Sequence, residues 1–158
     1  MMQRATTMPV YEVMTRAPVT VTPVTTLTDL IALFDRYDFN AFPVIDDRSI
    51  VCGIVTKLDV LRLLRPDQNL WVPALAGVSS ARVEDIMRRG VVSVEAGDPV
   101  VVAADLMVET RLRSLPVVQR KAEGPSLVGI VSQGDLLRGL RFQLVEATAG
   151  FGTADSRR

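Results

Sequence analysis

The stretch "GIVTKLDVLRLL" at residues 53–64 occurs again as "GIVSQGDLLRGL" at residues 129–140. Seven of the twelve positions are identical, and in both copies a hydroxyl residue stands three places before an aspartate. Each copy starts with apolar, β-branched residues and continues with leucines at helical spacing. The pattern therefore predicts the same strand, turn and helix at two places in one chain.

A wider repeat surrounds this stretch. At an offset of 73 residues, Met14 aligns with Met87 and "VTV" (Val19–Val21) aligns with "VSV" (Val92–Val94). The offset grows to 76 at the glycine of the quoted stretch, because the turn before it is three residues longer in the second copy. A repeat that changes length only at a surface turn indicates a duplicated structural unit.

Each copy reads as a short strand, a helix, two strands and a second helix, which predicts an α/β fold. We place the first repeat at residues 8–66, a linker at 67–80, the second repeat at 81–142 and a C-terminal tail at 143–158. The tail lacks periodicity, so we expect it to be mobile. In the linker, Trp71 is either packed on the surface of its own module or an anchor for a partner.

The first helix of each repeat carries a start signal. Thr26 and Asp29 form a predicted capping pair before the helix of the first repeat. In the second repeat, Asp98 is the predicted N-cap residue and Pro99 the first-turn proline.

Composition bounds the function. The 158 residues include 18 basic and 18 acidic side chains, which gives no support for binding to nucleic acid or to an anionic membrane. No histidine is present, so the most common general base and the usual zinc ligand are missing, and we expect no enzyme activity and no required cofactor or metal.

Targeting and redox signals are also informative. No apolar run approaches the roughly 20 residues that span a bilayer, and the start of the chain does not read as a signal peptide. The single cysteine, Cys52, excludes an internal disulfide and stands in a predicted strand as a buried thiol. We expect a cytoplasmic location.

Four motifs recur in the same order in both copies, over about residues 8 to 142. They are an apolar residue with Met, a "VTV"-like strand, a Pro-Val pair and Gly-apolar-apolar-[Thr/Ser]-x-x-Asp; the residue pairs are Val13-Met14 and Ile86-Met87, then Pro43-Val44 and Pro116-Val117. Taken together, the chain resembles two tandem cystathionine-β-synthase (CBS) domains forming one Bateman module.

The resemblance implies two β-α-β-β-α repeats packed about a pseudo-twofold axis. It implies clefts that bind an adenine nucleotide, with AMP, ADP, ATP and S-adenosylmethionine as candidate ligands. It further implies a homodimer that senses its ligand and regulates a separate, unidentified protein. The alternative is a dimeric scaffold with vestigial clefts and no physiological ligand.

The recurring turn has two interpretations. Thr56 with Asp59, and Ser132 with Asp135, have the spacing of a capping box, which satisfies free backbone N–H groups at a helix start. The same geometry can serve a ligand, because each aspartate can accept hydrogen bonds from the two hydroxyls of a ribose. Recurrence within a duplicated unit favours a nucleoside site in at least one cleft.

The resemblance adds candidate residues outside the turns. Arg113, just before "LPVV", matches a phosphate-binding position and is implied to serve the cleft of Asp59, while Asn40 stands at the matching place in the first repeat. Thr15 matches a position that lines the base pocket beside Asp59. Arg88 holds the equivalent place in the second repeat, where it either crowds the base or supplies a cation.

The second helices leave apolar residues for a partner to cover. We expect a homodimer in which a second module covers these helix faces. The residues concerned are Leu61, Leu64, Leu137 and Leu140.

Overall fold

The structure is a computed structural model that describes residues 7–63, 65 and 79–149. Leu64, Trp71, most of the predicted linker and the end of the predicted tail lie outside the described residues. The two alternatives for Trp71 and the mobility predicted for residues 150–158 are therefore not addressed by the structure.

The described elements are helices and strands interspersed along the chain, and they confirm the α/β fold class. A 3-10 turn at Val10–Glu12 precedes the first strand. The elements are β1 (Thr15–Arg16), α1 (Leu27–Arg36), β2 (Ala41–Ile45), β3 (Val51–Thr56), α2 (Lys57–Arg62), α3 (Val83–Ile86), β4 (Val94–Glu95), α4 (Val100–Thr110), β5 (Ser114–Lys121), β6 (Gly124–Ser132) and α5 (Gln133–Ala149).

These elements form two compact units that are interleaved along the chain. The Asp59 unit comprises the described residues of 18–91 together with 120–127. The Asp135 unit comprises the described residues of 1–17, 92–119 and 128–158. A compact unit therefore differs from a sequence repeat, because each unit includes the first residues of the other repeat, 81–91 in the Asp59 unit and 8–17 in the Asp135 unit.

In the Asp59 unit, β2 and β3 pair antiparallel. Val21 bridges Val44 in parallel on the outer side of β2, and Arg88 bridges Ile54 antiparallel on the outer side of β3. The N–H of Ile54 donates to the carbonyl of Arg88 at 3.0 Å, and the N–H of Arg88 donates back at 2.9 Å. The predicted strand at Val19–Val21 is thus represented by one bridging residue.

The Asp135 unit repeats this order in a four-stranded sheet, β1-β6-β5-β4. Thr15 lies opposite Ile130 in the antiparallel pair of β1 with β6. Val94 lies opposite Val117 in the parallel pair of β4 with β5. The short segment after Met14 therefore completes the sheet of the second copy, as the segment after Met87 completes that of the first.

Apolar burial holds in place the two segments that complete the sheet of the other copy. Every fully buried aliphatic side chain stabilises the fold by about 1.5–3 kcal/mol relative to exposure. Val83 and Met87 belong to the core of the Asp59 unit and Val10 to that of the Asp135 unit. The other buried members are Val21, Leu27, Leu30, Phe42, Val44 and Val55 in the first unit, and Val94, Ala103, Met107, Leu115, Val117 and Val131 in the second.

One of the two predicted helix starts is confirmed and the other is wrong. At α1 the capping pair is confirmed, because the N–H of Asp29 donates to the Thr26 hydroxyl at 3.1 Å. At α4 the prediction is wrong: Pro99 is the N-cap residue, and no side chain caps the helix. Asp98 stands one residue too early, and its carboxylate accepts from the N–H of Glu95 at 2.8 Å instead.

The C-terminal helix and the cysteine also depart from the sequence-based expectations. Helix α5 continues to Ala149, so the predicted tail begins with seven residues that the structure places in a helix. Cys52 is half-buried, and its thiol donates to the carbonyl of Val44 at 3.4 Å. Burial, followed by the charge of Asp46, raises the pKa of this thiol.

The segments that complete each sheet also explain why the repeated stretch has a glycine at its first position. A Cβ built on Gly53 would lie 2.7 Å from the sulfur of Met87, and one built on Gly129 would lie 2.7 Å from that of Met14. At Gly129 it would also lie 2.8 Å from the backbone oxygen of Thr15, which has less freedom to move than a methionine side chain. Glycine is therefore required because another segment crosses the strand at that residue.

We expect Gly129→Ala to lower the free energy of unfolding by about 1–3 kcal/mol, because the added methyl forces β1 away from β6. Urea denaturation followed by circular dichroism measures the change. Gly97→Ala is the matched control, since a Cβ there meets nothing within 4 Å. Equal stability of the two variants would contradict the close approach.

Candidate functional site

The first recurring turn joins β3 to α2. The N–H of Asp59 donates to Oγ1 of Thr56 at 3.2 Å. Oδ2 of Asp59 accepts from the N–H of Thr56 at 2.9 Å and from its hydroxyl at 2.7 Å. The capping-box interpretation of this turn is confirmed.

The second recurring turn joins β6 to α5 and has the same bonds. The N–H of Asp135 donates to the Ser132 hydroxyl oxygen at 3.2 Å. Oδ2 of Asp135 accepts from both the N–H and the hydroxyl of Ser132 at 2.8 Å. The duplicated sequence thus builds the same local structure twice.

Both aspartates are buried, with exposed fractions of 4% for Asp59 and 5% for Asp135. Carboxylates are rarely buried to this extent unless cations and hydrogen-bond donors satisfy them. Oδ1 of Asp59 accepts from Nη1 of Arg62 at 2.7 Å and from Nε of Arg88 at 3.3 Å. Oδ1 of Asp135 accepts from Nη2 of Arg138.

The arginines come from different parts of the fold. Arg62 and Arg138 each stand three residues after their aspartate, on the same helix. Arg88 is far from Asp59 in sequence and reaches it because its backbone bridges Ile54, two residues before Thr56. The matching place in the other unit holds Thr15. It lies opposite Ile130, which stands two residues before Ser132.

This placement corrects the expectation for Thr15 and Arg88. Thr15 was expected beside Asp59, but it lies in the unit that holds Asp135. Arg88 was expected to serve the second repeat, but it pairs with Asp59. The physical reason is the exchange of edge segments, since each segment after a methionine pairs with the strand of the other copy.

Arg113 and Asn40 occupy matched places beside the two turns. The carbonyl of Arg113 accepts from the N–H of Gln133 at 2.9 Å, and the carbonyl of Asn40 accepts from the N–H of Lys57 at 3.1 Å. The backbone of Arg113 therefore lies next to the Ser132 turn, in the Asp135 unit, and its side chain is exposed. That the Arg113 side chain serves the cleft of Asp59 stays a prediction.

Part of the arginine pattern was readable from the sequence. Arg62 and Arg138 are identical positions of the repeated stretch, and a spacing of three residues on a helix brings an arginine to an aspartate. No sequence signal pairs Arg88 with Asp59, because that contact depends on which strand the segment joins.

The described residues contain no group of three or more His, Cys, Asp or Glu side chains that could hold a metal ion. Among the helices within the described ranges, none is long and apolar enough to cross a membrane. What the two turns offer chemically is a buried carboxylate, a hydroxyl and one or two arginines.

Comparison with known proteins places this arrangement in a family. The model of the family described as CBS domain matches residues 10–66 and 83–141. A CBS domain-containing protein of Dictyostelium discoideum, DDB_G0289609, is 32% identical over 133 residues, which cover 81% of this chain and 88% of that protein. Protein MJ1225 of Methanocaldococcus jannaschii is 30% identical over 127 residues, covering 78% of this chain and 44% of that protein. The chain therefore spans less than half the length of this second relative.

Solved structures show the same fold. The crystal structure of MJ1225 superposes with a TM-score of 0.76 at 27% identity, covering 85% of this chain and 48% of that chain. The crystal structure of CBSX2 in complex with AMP superposes with a TM-score of 0.71 at 30% identity, covering 87% of this chain and 98% of that chain. CBSX2 is a CBS-pair protein from Arabidopsis thaliana.

We expect Thr56→Ala to lower the free energy of unfolding by about 1 kcal/mol, because the N–H of Asp59 loses the hydroxyl that caps α2. Urea denaturation measures this loss. Thr56→Ser is the matched control and should stay within about 0.5 kcal/mol of the parent protein, since Ser132 makes the same bonds in the other unit. Equal losses for alanine and serine would show that the hydroxyl does not stabilise the turn.

Proposed function

Because this chain belongs to the CBS domain family, with two copies in tandem, we propose that it is a regulatory module that binds an adenine nucleotide and controls a separate protein. The observation that carries the proposal is the pair of buried carboxylates, Asp59 and Asp135, each held by a hydroxyl residue at a strand-to-helix turn. A carboxylate in this position is a good acceptor for vicinal hydroxyls, which a ribose supplies.

The known relative with AMP supports the choice of ligand. CBSX2 is 30% identical to this chain, the similarity covers 87% of this chain, and the structure of CBSX2 is a complex with AMP. We therefore take AMP as the first candidate, with ADP, ATP and S-adenosylmethionine as the other candidates that the resemblance implies. No further cofactor is proposed.

The residues have separate roles in the proposed binding. Asp59 and Asp135 accept from the ribose hydroxyls, and Thr56 and Ser132 orient these carboxylates. Thr15 contributes to the surface around the base on the side of Asp135. Arg113 is exposed and stands where the first repeat has Asn40. Its guanidinium pairs with the phosphate.

The proposed output is regulation of another protein in the cytoplasm, not catalysis. The chain has no histidine to act as a general base, and its one cysteine has a raised pKa, which lowers the fraction of reactive thiolate. A change of ligand occupancy would reach the regulated protein through the surface of the module.

We expect millimolar AMP to raise the melting temperature by about 5–11 °C, because a ligand at a hundredfold excess over Kd stabilises the folded state by about 2.7 kcal/mol. Differential scanning fluorimetry with AMP, ADP, ATP and S-adenosylmethionine measures the shift. GMP and CMP are the controls and should shift it less. Equal shifts from all nucleotides would indicate binding of anions alone, and no shift from any would favour a scaffold with vestigial clefts.

We also propose that the module is a homodimer. A groove of about 500 Å³ lies between α4 and α5 of the Asp135 unit and has an almost wholly apolar lining. Leu137 and Leu140, two of the residues for which a covering partner was expected, line this groove and are exposed by 66% and 46%. Leu61 is exposed as well, whereas Leu64 lies outside the described residues. A second copy would bury these leucines under twofold symmetry.

We expect light scattering to give a mass of about 35 kDa at tens of micromolar, twice the 17.3 kDa of one chain. Leu137→Asp should shift the mass toward the monomer, since a charge in the apolar groove opposes its burial. Val24→Asp is the matched control, because Val24 is exposed by 57%, against 66% for Leu137, and does not line the groove. A monomeric parent protein would contradict the dimer.

A further inference from the structure

The two buried carboxylates differ in the number of donors they already accept. Asp59 accepts four hydrogen bonds, from the N–H and hydroxyl of Thr56 and from one nitrogen each of Arg62 and Arg88. Asp135 accepts three from the described residues, namely the N–H and hydroxyl of Ser132 and one nitrogen of Arg138. Since a carboxylate offers about four lone-pair positions, Asp59 is full, and Asp135 has one position that no described residue fills.

A ribose hydroxyl can therefore bind Asp59 only by displacing a donor. The two bonds from Thr56 are fixed by the turn itself, so an arginine has to leave. The side chains of Arg62 and Arg88 are exposed by 49% and 43%, which leaves both free to turn toward solvent or a ligand. Arg88 makes the longer bond, 3.3 Å against 2.7 Å, so we take Arg88 as the donor that is displaced.

We propose that the Asp59 site selects adenosine compounds that carry an anionic group, because Arg88 leaves Asp59 and pairs with that anion when the ribose binds. The Asp135 site, with Thr15 in place of Arg88, takes the uncharged adenosine unit equally well. This proposal rests on the proposed function and adds the ligand class of each site.

Charge supports the distinction. Among the groups paired directly with each carboxylate, two arginines leave Asp59 with a net charge of about +1, and one arginine leaves Asp135 near neutral. Adenosine at Asp59 separates Arg88 from its counter-charge and provides no replacement. AMP provides a phosphate, with which arginine forms strong charge-assisted hydrogen bonds.

The test exchanges the two matched residues in the full chain, with Arg88→Thr and Thr15→Arg. Both side chains are exposed, so each variant should fold, and circular dichroism with a melting curve verifies this. Titration calorimetry with AMP and with adenosine then measures affinity for the parent protein and both variants. Arg113 is unchanged throughout, so its contribution is the same in all three proteins.

We expect Arg88→Thr to weaken AMP binding at the tighter site by about ten- to a hundredfold and to strengthen adenosine binding, since the hydroxyl no longer displaces an arginine. Thr15→Arg should strengthen AMP binding at the weaker site. The opposite signs for the two ligands distinguish an exchange of partners from a structural role.

Two results would overturn the proposal, and they are distinguishable. If Arg88→Thr weakens AMP and adenosine by the same factor, Arg88 only holds Asp59 in place, and the proposed function stands without it. If the parent protein binds neither AMP nor adenosine at millimolar concentration, the proposed function fails and this proposal fails with it.

Discussion

The structure depends on the close approach of a methionine-bearing segment to a glycine in the neighbouring strand. Met87 lies over Gly53 and Met14 over Gly129, at distances that leave no room for a Cβ. The approach allows Arg88 to bridge Ile54 and Thr15 to bridge Ile130. It therefore decides which residue of the chain stands beside each recurring turn, and through that the charge around each carboxylate.

Local and long-range interactions meet at the aspartates. The capping box is local, and its bonds within three residues hold the carboxylate at the start of the helix in both copies. Burial then makes the carboxylate dependent on cations, because an unpaired buried charge is costly. One arginine on the same helix meets this need in both units. The additional Arg88 belongs to the Asp59 unit and is the main difference between the two turns.

Duplication followed by such a difference is a simple physical route to two unequal sites. The bonds within each turn are the same, so both copies keep a buried carboxylate at the start of the helix. A single exchange at an exposed edge, arginine against threonine, changes the local charge without touching the core.

The amino-acid sequence by itself determined the duplication, the α/β class, the capping pair at Thr26 and the boxes at Thr56 and Ser132. These features are predictable because they rest on periodicity and on contacts within three or four residues. Helix starts where the polar residue is one place out of position, as at Asp98, are predicted wrongly from the same local signals. The tertiary structure alone decided that Arg88 faces Asp59, since pairing between segments far apart in sequence is set by packing of the whole unit and leaves no local pattern.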